Sequence, residues 1–404
     1  MRKPFDIVHV TQSAFPDDPR PRREAVVAAQ IGARVAVVAL REGRDDRPVS
    51  RYGQILVVRL PGSKRRGSLI RYVSEYSSFL LRARALFRRD PRFRGARVVH
   101  VHSLPDFLIA AATPARRRGA RLILDLHEIF PEFARAKFAG LAGRIIAQAA
   151  LWAESWSRRQ ATVVLTVNRA VEKLLRSRPS RDEERLVVIH NLPDFGELGP
   201  PAAPREARNT TVRLVYHGTL TNLYGLDLAL TAVHQARSAG VDARFDIYGS
   251  GPDQAMLARE IDRLQLGDAA RLCGVIPHEE LRARLTEYDA GLLATRLNTM
   301  TQYSLSTKLL EYVHLAIPVI APRIPTYCDY FPENLFWYYA PNDPSDAARA
   351  IKDFDASSAD DRSTRARGAQ AAIAHLTWAA EAARLASIYR QLLENGTPSH
   401  PHGI

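Results

Sequence analysis

Residues 301–322 read TQYSLSTKLLEYVHLAIPVIAP, which predicts a polar loop, a helix and a buried strand in direct succession. The helix carries an apolar stripe at core-facing spacing, formed by Leu309, Leu310, Val313 and Ala316. Lys308 and Glu311 stand three residues apart and share the opposite face, and Ser304 or Ser306 can cap the first turn. The pattern therefore predicts a helix that packs through one face and binds through the other.

The start of this helix has the chemistry of a phosphate site. Free backbone N–H groups, reinforced by Lys308, favour an anion, and a carboxylate one turn later suits two neighbouring ribose hydroxyls. That combination fits a nucleoside diphosphate. The alternative is an ordinary amphipathic helix with an exposed ion pair. Because only six of the 57 basic residues are lysines, a lysine at this position favours the phosphate interpretation.

Length and composition limit the class of protein. At 404 residues and 45.1 kDa the chain is too long for one typical core, so we expect two domains. With two cysteines, Cys273 and Cys328, neither a disulfide framework nor a zinc cluster is expected, and a reducing cytoplasm fits best. No apolar run approaches the length of a signal peptide core or a membrane span. We therefore expect a cytoplasmic protein, with peripheral contact at the inner membrane face left open.

The charge of the chain is strongly positive and uneven. The formal net charge is +14, and residues 64–97 contain eleven basic residues against Glu75 and Asp90, interleaved with apolar side chains. This basic amphipathic segment suits an acidic membrane surface that carries a lipid-linked acceptor. A solvated arginine-rich helix is an equal alternative, and nucleic-acid binding is a weaker one, so no nucleic acid is expected as a partner.

Strand-like and helix-like patterns alternate along both halves of the chain, which predicts two parallel sheets wrapped by helices, an α/β fold. The predicted strands are Asp6–Val10, Ala33–Leu40, Ile55–Leu60, Val98–His102, Arg121–Asp125, Val163–Val167, Leu186–His190, Val212–His217, Ala243–Tyr248, Ala270–Leu272, Ala290–Ala294 and Pro318–Ala321. A proline-rich polar stretch at 198–210 predicts a linker between domains 1–197 and 211–376. We expect a last helix at 377–394 and a tail at 395–404.

Ligands of open α/β sheets bind beyond the carboxyl ends of the strands, so the residues after each predicted strand are candidate ligand contacts. In the second half these are glycine-containing turns, each of them weak by itself: Gly218-Thr219, Gly249-Ser250-Gly251 and Gly274-Val275-Ile276-Pro277. A glycine permits close backbone approach to a phosphate, and a threonine hydroxyl can contact it.

The glycine-containing turns and the helix that carries Lys308 and Glu311, in this order along the chain, resemble the motifs of the group 1 glycosyltransferases, also called glycosyltransferase family 4. The donor-domain motifs are Tyr216-His-Gly-Thr-Leu220 with Tyr224-Gly-Leu-Asp227, Gly249-Ser-Gly-Pro252, Gly274-Val-Ile-Pro277 and the helix from Lys308 to Glu311. The first half matches more loosely, through Val99–His102, Asp125–Glu132, Thr166–Asn168 and Val188–Asn191. The resemblance implies the GT-B architecture, in which two Rossmann-like domains face a cleft and the C-terminal helix crosses back to the first domain.

The resemblance also implies the activity. The expected reaction moves a sugar from a UDP-, GDP- or dTDP-sugar to a hydroxyl of a glycan, lipid-linked or small-molecule acceptor, with retained anomeric configuration and no metal or other cofactor. Lys308 and Arg296 would stabilise the departing diphosphate, and Glu311 would hold the ribose. The donor-binding residues would be Gly218, Thr219, Gly249, Gly251, Val275, Pro277, Tyr303, Ser304, Leu305, Ser306 and Thr307, with Glu311.

This chain departs from the family pattern at two places. The family commonly has a glutamate eight residues before Glu311, where this chain has Tyr303. The backbone of Tyr303–Leu305 would then hold the donor sugar. The family's arginine and lysine after the Gly218 strand are also absent, with Thr219 and Tyr224 in the aligned places. Lys308 and Arg296 would then carry the diphosphate charge.

In the first half, His127 follows a strand end and by resemblance would face the donor sugar across the cleft, and Glu128 is a candidate to assist the acceptor hydroxyl. Arg20, Arg22 and His102 would contact the acceptor, an anionic one in the case of the arginines. The alternatives are solvated loop side chains. A metal site of Asp125, His127 and Glu128 is not expected, because adjacent side chains on a strand point to opposite faces.

The sequence thus predicts a glycosyltransferase that builds a polysaccharide or glycolipid. Three rivals remain at this point. They are a non-catalytic nucleotide-sugar binder, a basic nucleic-acid-binding or nucleic-acid-modifying protein of the same fold, and a nucleotide-sugar epimerase, whose extra acid and base residues are not visible in the sequence.

Overall fold

The computed structural model describes residues 3–43, 46–62, 69–137, 140–179, 185–203 and 210–394. Its contacts divide the chain into two compact units. Unit 1 comprises Met1–Asn191 and Ala379–Ile404, and unit 2 comprises Leu192–Trp378.

The described strands form one sheet in each unit. In chain order they are β1 (Ile7–Val10), β2 (Val35–Arg41), β3 (Val49–Tyr52), β4 (Ile55–Pro61), β5 (Val98–His102), β6 (Arg121–Leu126), β7 (Val163–Thr166), β8 (Leu186–Val188), β9 (Val212–His217), β10 (Ala243–Tyr248), β11 (Ala270–Gly274), β12 (Ala290–Leu292), β13 (Val319–Pro322) and β14 (Trp337–Tyr339). Unit 1 has the order β3-β4-β2-β1-β5-β6-β7-β8, and unit 2 has β11-β10-β9-β12-β13-β14.

Helices connect and cover these strands. They are α1 (Pro19–Gln30), α2 (Leu69–Arg89), α3 (Pro91–Arg94), α4 (Thr113–Arg116), α5 (Phe130–Lys137), α6 (Gly140–Gln160), α7 (Arg169–Ser177), α8 (Phe195–Leu198), α9 (Leu226–Ser238), α10 (Gln254–Arg263), α11 (His278–Leu285), α12 (Thr307–His314), α13 (Pro325–Tyr330), α14 (Pro344–Ala356), α15 (Ala359–Ile373) and α16 (Trp378–Glu394). Short 3-10 turns include Asp106–Ala112, Asn222–Tyr224 and Thr301–Tyr303.

All described strand pairs are parallel except β3–β4. The central strands read as near-continuous apolar runs because helices cover both faces of a parallel sheet. In β2, for example, six of the seven residues are buried. The parallel arrangement places the carboxyl ends of the strands at one edge of each sheet, and the polar residues described below lie there.

The predicted strands are all present, with ends that differ by at most three residues, and the structure adds β3 and β14. Val49–Tyr52 was missed because it is a short, mostly exposed edge strand with no alternating pattern. Trp337–Tyr339 was missed because three aromatic residues are too few to show a period.

The boundary between the units falls earlier than the predicted linker at 198–210. The described residues at its start pack on unit 2, where His314 Nε2 lies 2.7 Å from the Gly199 carbonyl and the Ala202 N–H donates to the His314 carbonyl. The last helix, α16, belongs by its contacts to unit 1. Residues 204–209 of the linker, the tail 395–404 and residues 63–68 at the start of the basic segment lie outside the described residues.

A search of the described helices for a stretch long and apolar enough to cross a membrane finds none.

Candidate active site

Three loops at the carboxyl edge of the unit 2 sheet are tied together by backbone hydrogen bonds. After β9, Gly218 N–H donates to the Tyr248 carbonyl (2.9 Å), and Leu220 N–H donates to the Ser250 carbonyl (2.9 Å). After β10, Gly249 N–H donates to the Gly274 carbonyl (2.7 Å). The predicted glycine turns therefore form one connected rim.

Two of these glycines are required by space. Both Gly218 and Gly249 have φ near +128°, which L side chains rarely adopt. A Cβ on Gly218 would lie 2.2 Å from Cε of Lys308, and a Cβ on Gly249 would lie 1.9 Å from the Gly218 carbonyl oxygen. The glycines thus make room for the Lys308 side chain and for each other.

Lys308 lies beside this rim in the first turn of α12 and is 9% exposed. Its Nζ lies 3.8 Å from the centre of the Tyr224 ring and 5.5 Å from that of Tyr216, in cation–π contact. Burial lowers the pKa of Lys308 to about 8, and the nearby Glu311 opposes that shift. Among the residues the structure describes, no carboxylate lies within ion-pair distance of Nζ. The ammonium is thus desolvated and without a neutralising partner.

Glu311 follows one turn later. Its Oε2 lies 3.3 Å from Nε2 of His217 at the end of β9. Burial raises the pKa of Glu311 to about 7, and Lys308 opposes that shift. The exposed Lys308–Glu311 ion pair of the alternative interpretation does not form, because both side chains are directed into the rim instead of pairing at the surface.

The N-terminus of α12 has no side-chain cap. Ser306 occupies the N-cap position, yet its hydroxyl makes no capping hydrogen bond, contrary to the predicted capping role. Thr307 and Lys308 begin the helix, so the first-turn N–H groups point out of its end without a capping acceptor. Uncapped donors beside a buried ammonium make this position suited to an anion.

The remaining predicted residues of unit 2 lie around this rim with different exposure. Those that are exposed are Thr219, Val275, Pro277 and Ser304. Those that are half-buried are Gly218, Gly249, Gly251, Tyr303, Leu305, Ser306 and Thr307.

Arg296 differs from its predicted role. Its Nη2 bonds to Asp227 (2.5 Å), and its Nε bonds to Oδ1 and to the carbonyl of Asn222 (2.9 and 3.1 Å). This neutralised guanidinium joins the loop after β12 to the start of α9. Arg296 therefore supports the loop that carries Tyr224, and within the described part of the chain Lys308 is the cation of this rim with no ion-pair partner.

Unit 1 has a buried polar cluster at the corresponding edge of its own sheet. His9, His100 and His102 share one face, because His9 pairs in register with His100 on the neighbouring strand. His9 Nδ1 lies 3.0 Å from His102 Nε2, and His102 Nδ1 lies 3.3 Å from Oδ2 of Asp125. His100 Nδ1 lies 2.8 Å from the Tyr389 hydroxyl on α16.

Arg20 lies inside this cluster, which corrects its predicted role in acceptor binding. It is 5% exposed, donates to both oxygens of Asp125 (2.9 and 2.7 Å) and donates to the Ile189 carbonyl (2.9 Å). Its Nε also lies 3.3 Å from Glu24. Because the Arg20 guanidinium is buried and its donors are used in bonds within the fold, an anionic acceptor cannot reach it. His102 is fully buried and is corrected in the same way, whereas Arg22 is half-buried.

Burial and neighbouring charges shift the pKa values of this cluster in opposite directions. Burial alone would raise the pKa of Asp125, but Arg20 and His127 lower it well below its usual range. Burial raises the pKa of Glu24 well above normal, although Arg20 opposes this. Burial also lowers the pKa values of His9, His100 and His102. Arg20 and Asp125 thus form an ion pair inside the cluster, and Glu24 lies beside the same guanidinium.

His127 is the member of this network that reaches the surface. Its side chain is 17% exposed, and its Nε2 lies 2.6 Å from Asp125 Oδ2 and 3.2 Å from His102 Nδ1. Its backbone N–H donates to the Ser103 hydroxyl (3.1 Å). Glu128 follows as an exposed residue. The buried network thus orients His127 toward solvent.

Four of the buried residues have the geometry to hold a metal ion. One ligand atom from each of Glu24, His100, His102 and Asp125 lies within 4.8 Å of the others, as do those of His9, His100 and His102. Of the Asp125, His127 and Glu128 considered in the sequence, this set shares Asp125 alone. Because Arg20 already supplies a positive charge to Asp125, a divalent cation would be repelled there, so the absence of a metal stays our prediction.

Sequence reasoning missed His9, Glu24, His100 and Tyr389 in unit 1 and the Tyr224 ring against Lys308 in unit 2. The alternate spacing of His100 and His102 along one strand was a readable signal that both share a face. Contacts from Glu24 and Tyr389 connect segments remote in sequence, for which a single sequence carries no signal.

Comparison with known proteins identifies the class. Residues 21–192 match the family model for a glycosyl transferase 4-like domain, and residues 211–354 match that for glycosyl transferases group 1. The chain belongs to the group 1 glycosyltransferases and has the GT-B fold of two Rossmann-like domains.

Individual relatives are distant. The chain is 28% identical over 139 residues to a putative colanic acid biosynthesis glycosyltransferase, WcaL, of Escherichia coli, covering 34% of each chain. It is 25% identical over 276 residues to the alpha-D-kanosaminyltransferase of Streptomyces kanamyceticus, covering 65% of each. The match thus spans about a third of the length of WcaL.

Among solved structures, a sucrose-phosphate synthase from Thermosynechococcus elongatus superposes with TM-score 0.75 at 16% identity, covering 98% of this chain and 100% of that one. Anabaena HepE in complex with UDP-glucose superposes with TM-score 0.68 at 14% identity, covering 97% and 100%.

Proposed function

We propose that this glycosyltransferase uses a nucleoside diphosphate sugar as donor and transfers its sugar to a hydroxyl with retention of anomeric configuration. The observation that carries the proposal is the buried, unneutralised Lys308 ammonium at the uncapped start of α12, with Glu311 one turn later. An anion would satisfy the ammonium and the first-turn N–H groups at once. A ribose would donate its two hydroxyls to the Glu311 carboxylate.

The roles follow from the bonds that change. The bond between the anomeric carbon and the diphosphate oxygen breaks, and negative charge grows on the leaving diphosphate. A bond forms between the acceptor oxygen and the same face of the anomeric carbon, and the acceptor proton passes to the leaving phosphate oxygen. Donors fixed in place before the reaction stabilise the growing charge without reorganising, which typically contributes about 3–4 kcal/mol each. Lys308 and the start of α12 would supply them.

We take UDP-sugars as the first donors to test and polysaccharide or glycolipid assembly as the setting. Support for UDP comes from the HepE structures, whose bound ligands are UDP, UDP with glucose, and UDP-glucose. Support for the setting comes from relatives named for colanic acid and amylovoran biosynthesis. GDP- and dTDP-sugars are the alternatives.

The direct test measures release of the nucleoside diphosphate from a panel of UDP-, GDP- and dTDP-sugars, without metal and then with magnesium. Selective release from one nucleotide series, faster with an added sugar acceptor, would support the proposal. If a donor stabilises the protein against heat while no nucleotide is released with or without acceptors, the chain is a non-catalytic nucleotide-sugar binder. That alternative is motivated by Tyr303 at the family's glutamate position and by the neutralised Arg296.

We also propose peripheral contact of unit 1 with acidic membranes. On α6, Leu141, Ile145 and Trp152 are 72%, 62% and 66% exposed, and Leu81 on the basic helix α2 is 62% exposed. Both helices pack on the 3-10 turn at Asp106–Ala112. Exposed apolar side chains beside a basic segment suit an anionic lipid surface. Co-sedimentation with vesicles rich in phosphatidylglycerol should fall for Trp152→Ser, and equal binding to neutral phosphatidylcholine vesicles would contradict the proposal.

A further inference from the structure

A pocket of about 410 Å³ in unit 1, here called the arginine pocket, is lined almost entirely by arginine. Arg84 and Arg88 reach it from α2, Arg117 and Arg118 reach it from the end of α4, and Pro114 is the remaining lining residue. Arg84 is half-buried, and the other three arginines are exposed. No acidic side chain is among the described residues that line the pocket. Four like charges therefore meet in one recess of the surface.

The arginine pocket lies far from the candidate active site. Arg118 comes shortly before β6 begins at Arg121, so the pocket is near the amino edge of the sheet. His127 follows the opposite end of this six-residue strand, about 20 Å away. A ligand in the arginine pocket would thus occupy a site separate from the one that His127 borders.

Helix α2 gives its two pocket arginines no acidic partner at helical spacing. Elsewhere an exposed arginine pairs with a glutamate one turn away, as Arg176 does with Glu172 on α7 (2.8 Å). The residue one turn after Arg84 is Arg88, and like charges at that spacing destabilise a helix. Among the described residues, no carboxylate lies within ion-pair distance of any of the four pocket guanidinium groups. Their charge therefore has no counter-charge in the described part of the chain.

Two of the four guanidinium groups are held in place by backbone carbonyls. Nη1 of Arg84 donates to the Ala110 carbonyl (2.6 Å), and Nη1 of Arg118 donates to the Pro114 carbonyl (3.0 Å). A guanidinium has several N–H donors, so each of these two keeps most of them for a ligand. The other two guanidinium groups make no hydrogen bond within the described part of the chain. The arginine pocket thus offers positioned donors with unused capacity.

The helix dipole explains only part of this arrangement. It favours a cation in the last turn of α2, where Arg88 lies. It does not explain why arginines of α4 converge on the same recess, where like charges repel. The pKa of Arg84 is lowered by burial and then by the charges of Arg88 and Arg117. A bound anion would relieve this repulsion.

We propose that the arginine pocket binds a small anion that carries a phosphate group and at least a double negative charge. The guanidinium fork matches the spacing of phosphate oxygens, and a tetrahedral phosphate accepts hydrogen bonds from several directions at once. A carboxylate has a single charge and presents its oxygens in one plane, so it satisfies fewer of the converging guanidinium groups. A soluble diphosphate and a phosphomonoester lipid headgroup share the required chemistry. This site is independent of the donor site proposed in unit 2.

Calorimetric titration with inorganic pyrophosphate tests the arginine pocket. The full chain carries Lys308→Ala in every titration, because the proposed donor site would also attract a diphosphate. Arg88→Gln combined with Arg117→Gln removes two charges of the pocket. Both side chains are exposed, so the fold should be retained, which a thermal melt verifies. We expect binding to weaken at least ~10-fold in this pocket variant, with part of the loss in each single substitution.

The matched control combines Arg47→Gln with Arg51→Gln. These exposed arginines of unit 1 do not line the pocket, and their removal lowers the net charge by the same amount. Pyrophosphate affinity should change less than ~2-fold in this control. Co-sedimentation of the same proteins with phosphatidylcholine vesicles, with and without phosphatidic acid, tests a lipid headgroup as the source of the phosphate.

Pyrophosphate binding that is weakened in the pocket variant and kept in the control would support the proposal with a soluble anion as the ligand. Binding to phosphatidic acid vesicles with the same selectivity, and no pyrophosphate binding, would support it with a lipid headgroup as the ligand. Equal behaviour of the pocket variant and the control toward both probes, or no binding of either probe, would overturn it. UDP binding to the unsubstituted chain reports separately on unit 2, and its absence would refute the donor site without bearing on the arginine pocket.

Discussion

Each unit buries a cation at the carboxyl edge of its sheet, but the two cations differ in what neutralises them. In unit 1, the buried Arg20 guanidinium is paired with Asp125 and lies 3.3 Å from Glu24, so carboxylates of the protein supply its counter-charge. In unit 2, Lys308 is almost as buried, but its ammonium contacts the face of the Tyr224 ring. Burial lowers the pKa of Lys308 to about 8. The cation of unit 1 already has its counter-charge within the protein, whereas the cation of unit 2 gains one when an anion binds. Burial of a charge therefore indicates a binding site only where the protein has left that charge unneutralised.

The largest contrast is expected in stability. Arg20→Ala leaves Asp125 as an uncompensated buried charge, so the free energy of unfolding should fall by about 3–5 kcal/mol. Arg22→Ala, on the same helix, should change it by less than about 0.5 kcal/mol. Urea denaturation of the three proteins measures both values. Equal effects of the two substitutions would mean that the Arg20–Asp125 pair does not support unit 1.

Lys308→Ala should lower kcat about 100-fold or more while the fold remains intact, because a charge that stabilises the leaving diphosphate is lost. Steady-state kinetics on the preferred donor measures this. Lys352→Ala is the matched control, since Lys352 is an exposed lysine of the same unit, and it should retain full activity. A change restricted to KM would contradict the role in stabilising the leaving group.

Glu311→Gln should weaken binding of the free nucleoside diphosphate about tenfold, because the ribose hydroxyls lose a charged acceptor. Calorimetric titration measures the affinity, with the exposed Glu279→Gln as the control. Unchanged affinity in Glu311→Gln would remove this residue from the donor site.

Affinity for the intact nucleotide sugar should be greatest between about pH 7 and pH 8. Lys308 is charged below its pKa of about 8, and Glu311 is ionised above its pKa of about 7, so affinity falls on both sides. The acid limb should disappear in Glu311→Gln, and the alkaline limb in Lys308→Met. A flat profile in the unsubstituted protein would show that neither group titrates in the site.

Removal of metal should have the smallest effect on donor turnover. Elemental analysis of the purified protein should find no stoichiometric zinc, and a chelator should leave donor turnover unchanged. One zinc per chain, lost in His100→Gln, would show instead that the buried cluster of unit 1 is a metal site.

Features that depend on local sequence patterns could be predicted, whereas contacts between distant parts of the chain could not. The parallel sheets and the α12 region were readable, because buried strands and an apolar helical stripe leave strong local patterns. Lys308 and Glu311 were likewise indicated by their spacing and by the helix start. Arg20 was misassigned because its partner Asp125 is 105 residues away and pairing at that distance leaves no local trace.

The most direct test of the central claim is a crystal structure of the chain with bound UDP. The account predicts the diphosphate at the first turn of α12, with the Lys308 Nζ about 3 Å from a phosphate oxygen and the ribose hydroxyls about 3 Å or less from Glu311. A nucleotide bound elsewhere, or bound at this rim with its phosphates away from Lys308, would contradict it.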